Sequence, residues 1–390
     1  MGKKVNLIII AHDFPYPPNH GGRVDMWNRI VALSNRGVNI FLIAWSDQDI
    51  NIDDINKVKE FTSKVKIFKR NKQIYKAFHP LLPSHVTTRG LQKYEYLTLL
   101  EDLGRFKADI IVLDGLPGAL LALDLQSDLS LPLIYRSHNV EYLYINELYL
   151  AEKKPFKKYL LKLNVRRTKL IEKKIRTKSS VIYEISYSDK KHWENKHNVA
   201  QKVLNPFVLL RKKEIPFQFE NEQDIDLLYV GNLHTPNNLY GLEWFISKVV
   251  PLIKNMRIII AGSNPNDRII GLCEQAGIEL VSNPETVSDL YNRAKLLINP
   301  IFHGSGVNIK MIEMLSTGKP IVSTSVGARG LVENVKKYVY VADHPEDFAA
   351  GIKQNILKDN NDTQISDVLG EYSWENVDVI LNEISLLIEG

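Results

Sequence analysis

The chain has 390 residues, of which 44% are apolar and 24% charged, and this composition excludes a disordered or collagen-like polymer. A length well beyond roughly 250 residues predicts two domains. The one cysteine, Cys273, excludes a disulfide framework and any metal cluster that needs several thiolates, which predicts a cytoplasmic protein. No stretch of about 18 apolar residues occurs, so we expect no membrane-spanning helix.

Short apolar runs alternate with helix-length segments along the chain. In the first half, strands are predicted at 5–11, 39–44, 109–113 and 133–136, and a helix at 23–36. In the second half, strands are predicted at 226–230, 257–261, 279–282, 296–299 and 320–324. Helices are predicted at 239–251, 268–276, 287–294, 307–317 and 372–388.

Charge is distributed unevenly along these elements. Residues 1–205 carry 34 Lys and Arg against 21 Asp and Glu, whereas residues 206–390 carry 16 against 24, so the two parts have net charges of +13 and −8. Most of the positive excess lies in residues 151–180, where twelve basic residues oppose two glutamates. Apolar residues recur there near helical spacing, which predicts one or two amphipathic helices with a basic face.

Three interpretations of the basic segment, residues 151–180, stay open. It could form a solvated helix face, contact the anionic surface of a membrane, or bind nucleic acid. Only two aromatic side chains, Phe156 and Tyr159, lie among the basic ones, fewer than a platform for successive stacked bases would require. We therefore expect no nucleic acid partner, and an anionic membrane surface remains a candidate partner of this segment.

The alternation of elements predicts an α/β fold with two doubly wound domains, each built on a parallel sheet covered on both faces. Ligands of such sheets bind beyond the carboxyl ends of the strands. Asp13 and Asp114 end strands and are candidate acceptor-binding groups or bases. The Asp-x-Asp triplets at 47–49 and 224–226 are explained by their positions beside strands, so we expect no metal site.

The strongest local pattern lies in residues 299–313. An apolar strand ends there, a glycine-flanked turn follows, and a helix opens whose first N–H groups can face an anion. Lys310 lies early in that helix, and Glu313 follows it by three residues on the same side. The pattern is open to a second interpretation, because any strand-to-helix turn can need glycine for its backbone alone. It is neither the dinucleotide fingerprint, since Ile309 occupies the third glycine position, nor a Walker sequence.

Residues 304–324 resemble the donor-nucleotide motif of family 4 glycosyltransferases. Four other segments resemble the same family in the same order. They are the glycine loop at 17–23, the histidine segment at 136–141, the turn opening the second domain at 230–238, and the start of the final helix at 372–375. The resemblance therefore spans nearly the whole chain.

This resemblance implies the GT-B architecture, in which two Rossmann-like domains face each other across a cleft. Residues 1–205 would bind the acceptor, residues 206–371 would bind the nucleotide-sugar, and the helix at 372–390 would pack back toward the first domain. It also implies transfer with retention of anomeric configuration, with no cofactor and no required metal.

Carried over by position, the resemblance assigns the catalytic roles to His138, Lys310 and Glu313. Glu313 would bind the ribose hydroxyls, and Lys310 would supply positive charge to the diphosphate. Ser305 stands where many members have a glutamate that contacts the donor sugar, and Asn232 and Asn238 stand where many have an arginine and a lysine. The donor-binding residues are Gly21, Gly22, Gly231, Asn232, Asn238, Gly304, Ser305, Gly306, Val307, Asn308, Lys310 and Glu313.

The sequence thus predicts a cytoplasmic glycosyltransferase, peripheral at the inner face of a membrane, that moves a sugar from a nucleotide-sugar to a hydroxyl of a glycan or lipid-linked glycan in polysaccharide biosynthesis. The enzymatic alternatives are a nucleotide-sugar epimerase and an inverting transferase of the same shape. A nucleotide-sugar-binding protein without catalysis is the alternative of another class. A nicotinamide oxidoreductase fits poorly, because the glycine fingerprint after the first strand is absent.

Overall fold

The computed structural model describes residues 4–18, 21–70, 81–194, 196, 198–208, 223–303, 307–357 and 369–389. The chain forms two compact units. The first contains Met1–Phe207 together with Trp374–Gly390, and the second is Val208–Ser373. Both changes of unit therefore occur two residues after the boundaries expected from the sequence, at 206 and 372.

The first unit is built on a seven-stranded parallel sheet with the order β3-β2-β1-β4-β5-β6-β7. β1 is almost entirely apolar and buried, as expected of a parallel strand covered on both faces. The order reverses direction between β1 and β4, which is where doubly wound sheets bind ligands. The strands are β1 Asn6–Ala11, β2 Asn39–Ser46, β3 Lys64–Lys69, β4 Ile110–Asp114, β5 Leu133–Arg136, β6 Val181–Glu184 and β7 Ala200–Val203.

Helices cover both faces of this sheet. Alternate residues of β1 point to opposite faces, so Leu7 and Ile9 belong to one apolar core and Ile8 and Ile10 to the other. The helices before the change of unit are α1 Gly21–Asn35, α2 Ile52–Lys59, α3 Ser84–Thr87, α4 Lys93–Phe106, α5 Ala119–Leu129, α6 Glu141–Ala151, α7 Pro155–Lys178 and α8 Tyr187–Trp193. The basic segment thus contains one long helix, α7, preceded by the end of α6.

The second unit repeats the plan with a six-stranded parallel sheet in the order β10-β9-β8-β11-β12-β13. Its strands are β8 Ile225–Asn232, β9 Ile258–Ser263, β10 Glu279–Ser282, β11 Ala294–Asn299, β12 Ile321–Ser323 and β13 Val339–Val341. Its helices are α9 Pro236–Trp244, α10 Asp267–Ala276, α11 Ser288–Arg293, α12 Ile309–Leu315, α13 Glu333–Lys336 and α14 Pro345–Asn355. The predicted α/β class, with two parallel-sheet domains, is confirmed.

The last helix, α15 at Val377–Glu389, belongs to the first unit. Ile380 and Ile384 join the core that contains Leu7 and Ile9. Arg36, just beyond α1, donates to Asp378 across 2.9 Å. No helix in the described ranges is both long and apolar enough to cross a membrane.

Two helix glycines of the second unit give a test of its packing. A Cβ on Gly241 in α9 would lie 1.9 Å from the carbonyl oxygen of Pro300, whereas a Cβ on Gly271 in α10 would meet nothing within 4 Å. We expect Gly241→Ala to lower the free energy of unfolding by more than about 1 kcal/mol, because backbone must move. Gly271→Ala should instead raise it by about 0.5–1 kcal/mol. Chemical denaturation of both variants measures this, and equal effects would contradict the close approach of α9 to Pro300.

Candidate active site

Three side chains meet at the carboxyl edge of the first sheet. His12 follows β1, Asp114 ends β4, and His138 lies two residues after β5. Nε2 of His138 is hydrogen-bonded to Oδ1 of Asp114, and Nδ1 of His12 lies 3.3 Å from the carbonyl oxygen of Asp114. The rings of His12 and His138 pack edge to face, with centroids 5.1 Å apart. The sequence analysis identified Asp114 and His138 but not His12, although His12 also lies at the carboxyl end of a strand.

A buried chain of ion pairs lies beside this cluster. Arg29 on α1 donates to Asp114 across 2.5 Å and to Asp25 across 3.0 Å, and Arg136 donates to Asp25 across 3.2 Å. Burial alone would raise the pKa of Asp114, but Arg29 and His138 hold that pKa well below its usual range. Asp114 therefore stays ionised at the edge of the sheet.

The cluster can orient a histidine for hydrogen bonding or proton transfer. When Nε2 of a neutral His138 donates to the ionised Asp114, Nδ1 is the acceptor of that ring. Burial, with His138 next to it, lowers the pKa of His12 to about 3, so His12 is neutral at physiological pH. The arrangement has the relation of a carboxylate and a histidine that general-base sites use.

The same three residues are the set that the described chain offers to a metal ion, with ligand atoms within 4.8 Å of one another. Both oxygens of Asp114 already have partners, since Oδ1 bonds to His138 and Oδ2 to Arg29. A guanidinium held against the carboxylate also opposes a second cation. The cluster therefore fits a hydrogen-bonded role better than a metal site. The acids of the two Asp-x-Asp triplets are paired too, for example Asp47 with Arg70 and Asp226 with Lys295.

The segment that carries His138 is fixed by a buried glutamate on α7. The carboxyl group of Glu172 accepts hydrogen bonds from the backbone N–H groups of Glu141 at 3.2 Å and Tyr142 at 3.3 Å, the first two residues of α6. Burial raises the pKa of Glu172 to about 8, although Arg176 opposes the shift. Before His138, the Ser137 hydroxyl donates to the Asn139 carbonyl across 2.9 Å. The His138 segment is thus held on both sides.

In the second unit, Lys310 and Glu313 lie on α12, which begins at Ile309. Nζ of Lys310 is buried, has no hydrogen-bond partner in the part of the chain that the structure describes, and lies 4.2 Å from the ring centroid of Tyr229. Burial lowers the pKa of Lys310 to about 7, against the opposing influence of Glu313. The sequence predicted that Lys310 supplies positive charge to the diphosphate. With a pKa lowered to about 7 by burial, this amine would be only partly protonated at neutral pH.

Asn232 and Asn238 hold the turn between β8 and α9. Oδ1 of Asn232 accepts from the backbone N–H of His234 at 2.9 Å and of Thr235 at 3.2 Å. Nδ2 of Asn238 donates to the carbonyl of Asn232 across 2.8 Å. The two asparagines at the positions of the expected cations therefore shape the backbone of the turn. Gly231 precedes it, and a Cβ there would lie 2.6 Å from the Tyr229 hydroxyl.

The remaining predicted donor residues have varied positions. Gly21 and Gly22 open α1, whereas the sequence placed them in a loop. Val307 is buried, and Asn308 directly precedes α12. Gly304, Ser305 and Gly306 lie outside the described residues. The structure thus brings Lys310 and Glu313 together on one helix, while His138 belongs to the first unit.

Two comparisons of sequence concern the function of this fold. Residues 224–358, most of the second unit, match the family model described as Glycosyl transferases group 1. A Klebsiella pneumoniae protein, described as an uncharacterized 44.6 kDa protein in cps region, is 27% identical over 373 residues, which cover 89% of each chain.

Solved structures resemble the chain over nearly its whole length. A sucrose-phosphate synthase from Thermosynechococcus elongatus has a TM-score of 0.71 at 12% identity, covering 98% of both chains. Anabaena HepE, in complex with UDP, has a TM-score of 0.63 at 12% identity, covering 97% of this chain and 98% of its own. The chain has the GT-B fold of these neighbours, and together with the family match this makes it a glycosyltransferase.

The pKa of Glu172 gives a test of how the His138 segment is held. The folded protein keeps a proton on Glu172 up to about pH 8, whereas the unfolded chain releases it near pH 4.5. Stability from this residue is therefore present at low pH and lost as pH rises through that window. The stability of wild type relative to Glu172→Gln should fall by more than about 2 kcal/mol between pH 5 and 8. Denaturation across pH measures it, and the exposed Glu101→Gln is the matched control; a flat difference for Glu172→Gln would contradict the assignment.

Proposed function

We propose that this glycosyltransferase moves a sugar from a nucleotide-sugar donor, bound by the second unit, to a hydroxyl of a glycan or lipid-linked glycan acceptor, bound by the first. The observation that carries the proposal is the buried amine of Lys310. A buried amine without a hydrogen-bond partner costs free energy unless an anionic group meets it. A donor diphosphate supplies that group, and Glu313, one turn further along α12, suits the ribose hydroxyls.

A uridine diphosphate is the first donor nucleotide to test. The crystal structure of HepE, which shares the fold, is that of a complex of the protein with UDP. Gly231 and the turn held by Asn232 and Asn238 would let backbone approach the donor, and Gly21, Gly22, Gly304, Ser305, Gly306, Val307 and Asn308 are the other candidate contacts. Neither arginine nor lysine stands at positions 232 and 238, so Lys310 would provide the charge for the diphosphate.

The proposed chemistry breaks the bond between the anomeric carbon and the donor phosphate. The departing diphosphate gains negative charge, which the Lys310 amine, once protonated, stabilises where water is excluded. The acceptor oxygen attacks on the same face, and a phosphate oxygen of the leaving group takes the acceptor proton. The configuration is then retained, and the step needs neither a metal nor a cofactor.

The hydrogen bond between His138 and Asp114 favours a second candidate, an inverting transferase. An imidazole paired with an ionised carboxylate can take the proton of an acceptor hydroxyl as a general base. The acceptor would then attack from the face opposite the leaving diphosphate. In the retaining mechanism, His138 instead positions the reacting groups through hydrogen bonds.

We also propose that the enzyme works on the cytoplasmic side of a membrane on a glycan of the cell envelope. The relative described as a protein in cps region is compatible with such an acceptor. The excess of basic residues in the segment 151–180 would attract an anionic membrane surface.

Lys310→Met tests the donor site through both stability and binding. Without ligand, the variant should be the more stable protein below pH 7, because the wild type then buries a charged amine. That gain should disappear as pH rises from 7 toward 10.5, where the unfolded chain also loses the proton. UDP at about one hundred times its Kd should stabilise wild type by about 2.7 kcal/mol and the variant far less, as thermal shifts can measure.

The exposed Lys353→Met is the matched control and should keep both the stability and the UDP response of wild type. Glu313→Ala should lose the response to UDP without gaining stability at low pH. A response to UDP in Lys310→Met equal to that of wild type would overturn the role of Lys310. Substitution of UDP by GDP, TDP, CDP and ADP identifies the base, and a response to NAD alone would overturn the donor proposal.

The configuration of the product separates the two mechanisms. With a donor and acceptor identified, proton NMR of the first product formed should show the anomeric configuration of the donor sugar. Loss of a general base typically reduces kcat by about 10²–10⁴-fold. If the mechanism is retaining, Asp114→Ser should reduce kcat by less than this. An inverted product would assign the base role to His138 and Asp114, and a free epimerised sugar would identify an epimerase. Donor binding with no turnover would support the non-catalytic alternative.

A further inference from the structure

The outward face of α7 carries an apolar stripe. Phe156 is 71% exposed, Tyr159 60% and Leu170 59%, and the half-buried Leu163 lies between them. At about 100° per residue, these four positions fall within a sector of roughly 60° on the helix. Exposed apolar residues scattered singly need no explanation, but an aligned set on one helix does.

The buried side of α7 is a different face. Thr168, Ile171, Glu172, Ile175 and Arg176 are its buried residues, and they centre roughly 160° away from the stripe. All of them lie in the second half of the helix. The first thirteen residues, 155–167, have no buried side chain, so this part extends for about 20 Å and no described residue covers its outer face.

Basic residues flank the stripe on both sides. Lys162, Arg166 and Lys173 lie along one flank, and Arg167 and Lys174 lie along the other. The one acid of α7, Glu172, is buried on the opposite face. The outward face of α7 thus combines an apolar centre, including two aromatic rings, with cationic margins and no carboxylate.

We propose that the outward face of α7 lies flat on an anionic lipid bilayer, with Phe156, Tyr159, Leu163 and Leu170 entering the interface between headgroups and acyl chains. Interfacial helices combine an apolar face with a flanking lysine- and arginine-rich surface in this way. Charge complementarity selects this partner. A second copy would bring two strongly cationic faces together, and a nucleic acid backbone would leave the apolar stripe in water.

The inference rests on the proposed function, in which the first unit binds the acceptor. Membrane binding through α7 would place that acceptor site beside the membrane. The inner face of α7 holds the His138 segment through Glu172, and Nη2 of Arg176 lies 3.5 Å from the Ser137 hydroxyl. The segment is therefore about one helix diameter, roughly 10–12 Å, from the lipid surface. An acceptor anchored in the leaflet would reach the first unit without leaving the membrane.

Vesicle co-sedimentation of the full-length protein tests the surface. Wild type should bind phosphatidylcholine vesicles that contain phosphatidylglycerol, bind pure phosphatidylcholine far less, and dissociate as salt is raised. Arg166→Gln with Lys173→Gln should weaken the partition coefficient by about 25-fold, at about fivefold for each charge. Phe156→Ser with Tyr159→Ser should weaken it by at least about tenfold, because apolar area no longer leaves water.

Matched controls keep the test specific. Tyr94→Ser with Leu97→Ser removes exposed apolar residues of α4, and Lys248→Gln with Lys254→Gln removes two exposed charges of the second unit. Both controls should bind vesicles as wild type does. Equal weakening by the controls, or no weakening by the α7 variants, would overturn the proposal.

Two further results would also overturn it. One is a wild type that stays in the supernatant with phosphatidylglycerol vesicles. The other is a lipid-free dimer, seen by analytical ultracentrifugation, that Phe156→Ser dissociates, because the stripe would then be an interface between copies. The thermal response to UDP is measured without lipid. If UDP stabilises the protein but the protein does not bind vesicles, only the membrane proposal is refuted. If the protein binds vesicles but UDP does not stabilise it, only the donor proposal is refuted.

Discussion

Arg29 neutralises two buried carboxylates, and the first unit depends on this interaction at two places. Asp114 is the last residue of the central strand β4 and is buried at the carboxyl edge of the sheet. An unpaired charge in this position would be strongly destabilising. Asp25 also accepts from the backbone N–H of Phe207 across 2.8 Å, the last residue before the chain enters the second unit. Asn28, on the same helix, donates to the Phe207 carbonyl across 2.8 Å. One turn of α1 therefore fixes both the orientation of the site carboxylate and the exit of the chain.

The two candidate sites treat charge in opposite ways. In the first unit, Asp114 is compensated by Arg29 and His138, so the site offers directed hydrogen bonds without an uncompensated charge. Neutral hydroxyl groups suit such a site. In the second unit, the Lys310 amine is buried against the Tyr229 ring without a hydrogen-bond partner among the described residues. An anion is the ligand that relieves it, and this contrast supports the proposed division between acceptor and donor.

The sequence predicted those features that leave a local pattern of apolar residues or a recognisable motif along the chain. Strands buried on both faces, such as β1, appear as continuous apolar runs, and the predicted runs all form strands. β3 was missed because lysines at 64, 66 and 69 interrupt its apolar residues. His138 was predicted because residues 136–141 resemble the histidine segment of family 4 glycosyltransferases. The pairing of Asp25 with Arg136 joins residues 111 positions apart and leaves no local pattern. From the sequence, Asn232 and Asn238 only replace two positively charged residues that many family members have. The structure shows that both side chains form hydrogen bonds that hold the turn between β8 and α9.

The buried face of the long basic helix α7 is another feature that the sequence could not predict. Spacing predicted an amphipathic helix, but a helix with apolar residues on two faces does not reveal which face the protein buries. Ile171 and Ile175 turn inward to the sheet, while Tyr159 and Leu170 face out, and only packing separates the pairs. Because the buried Glu172 sits with the inward pair, lipid contact on the outer face would not disturb the hydrogen bonds that hold the His138 segment. The helix can therefore serve as a rigid spacer between a lipid surface and the site.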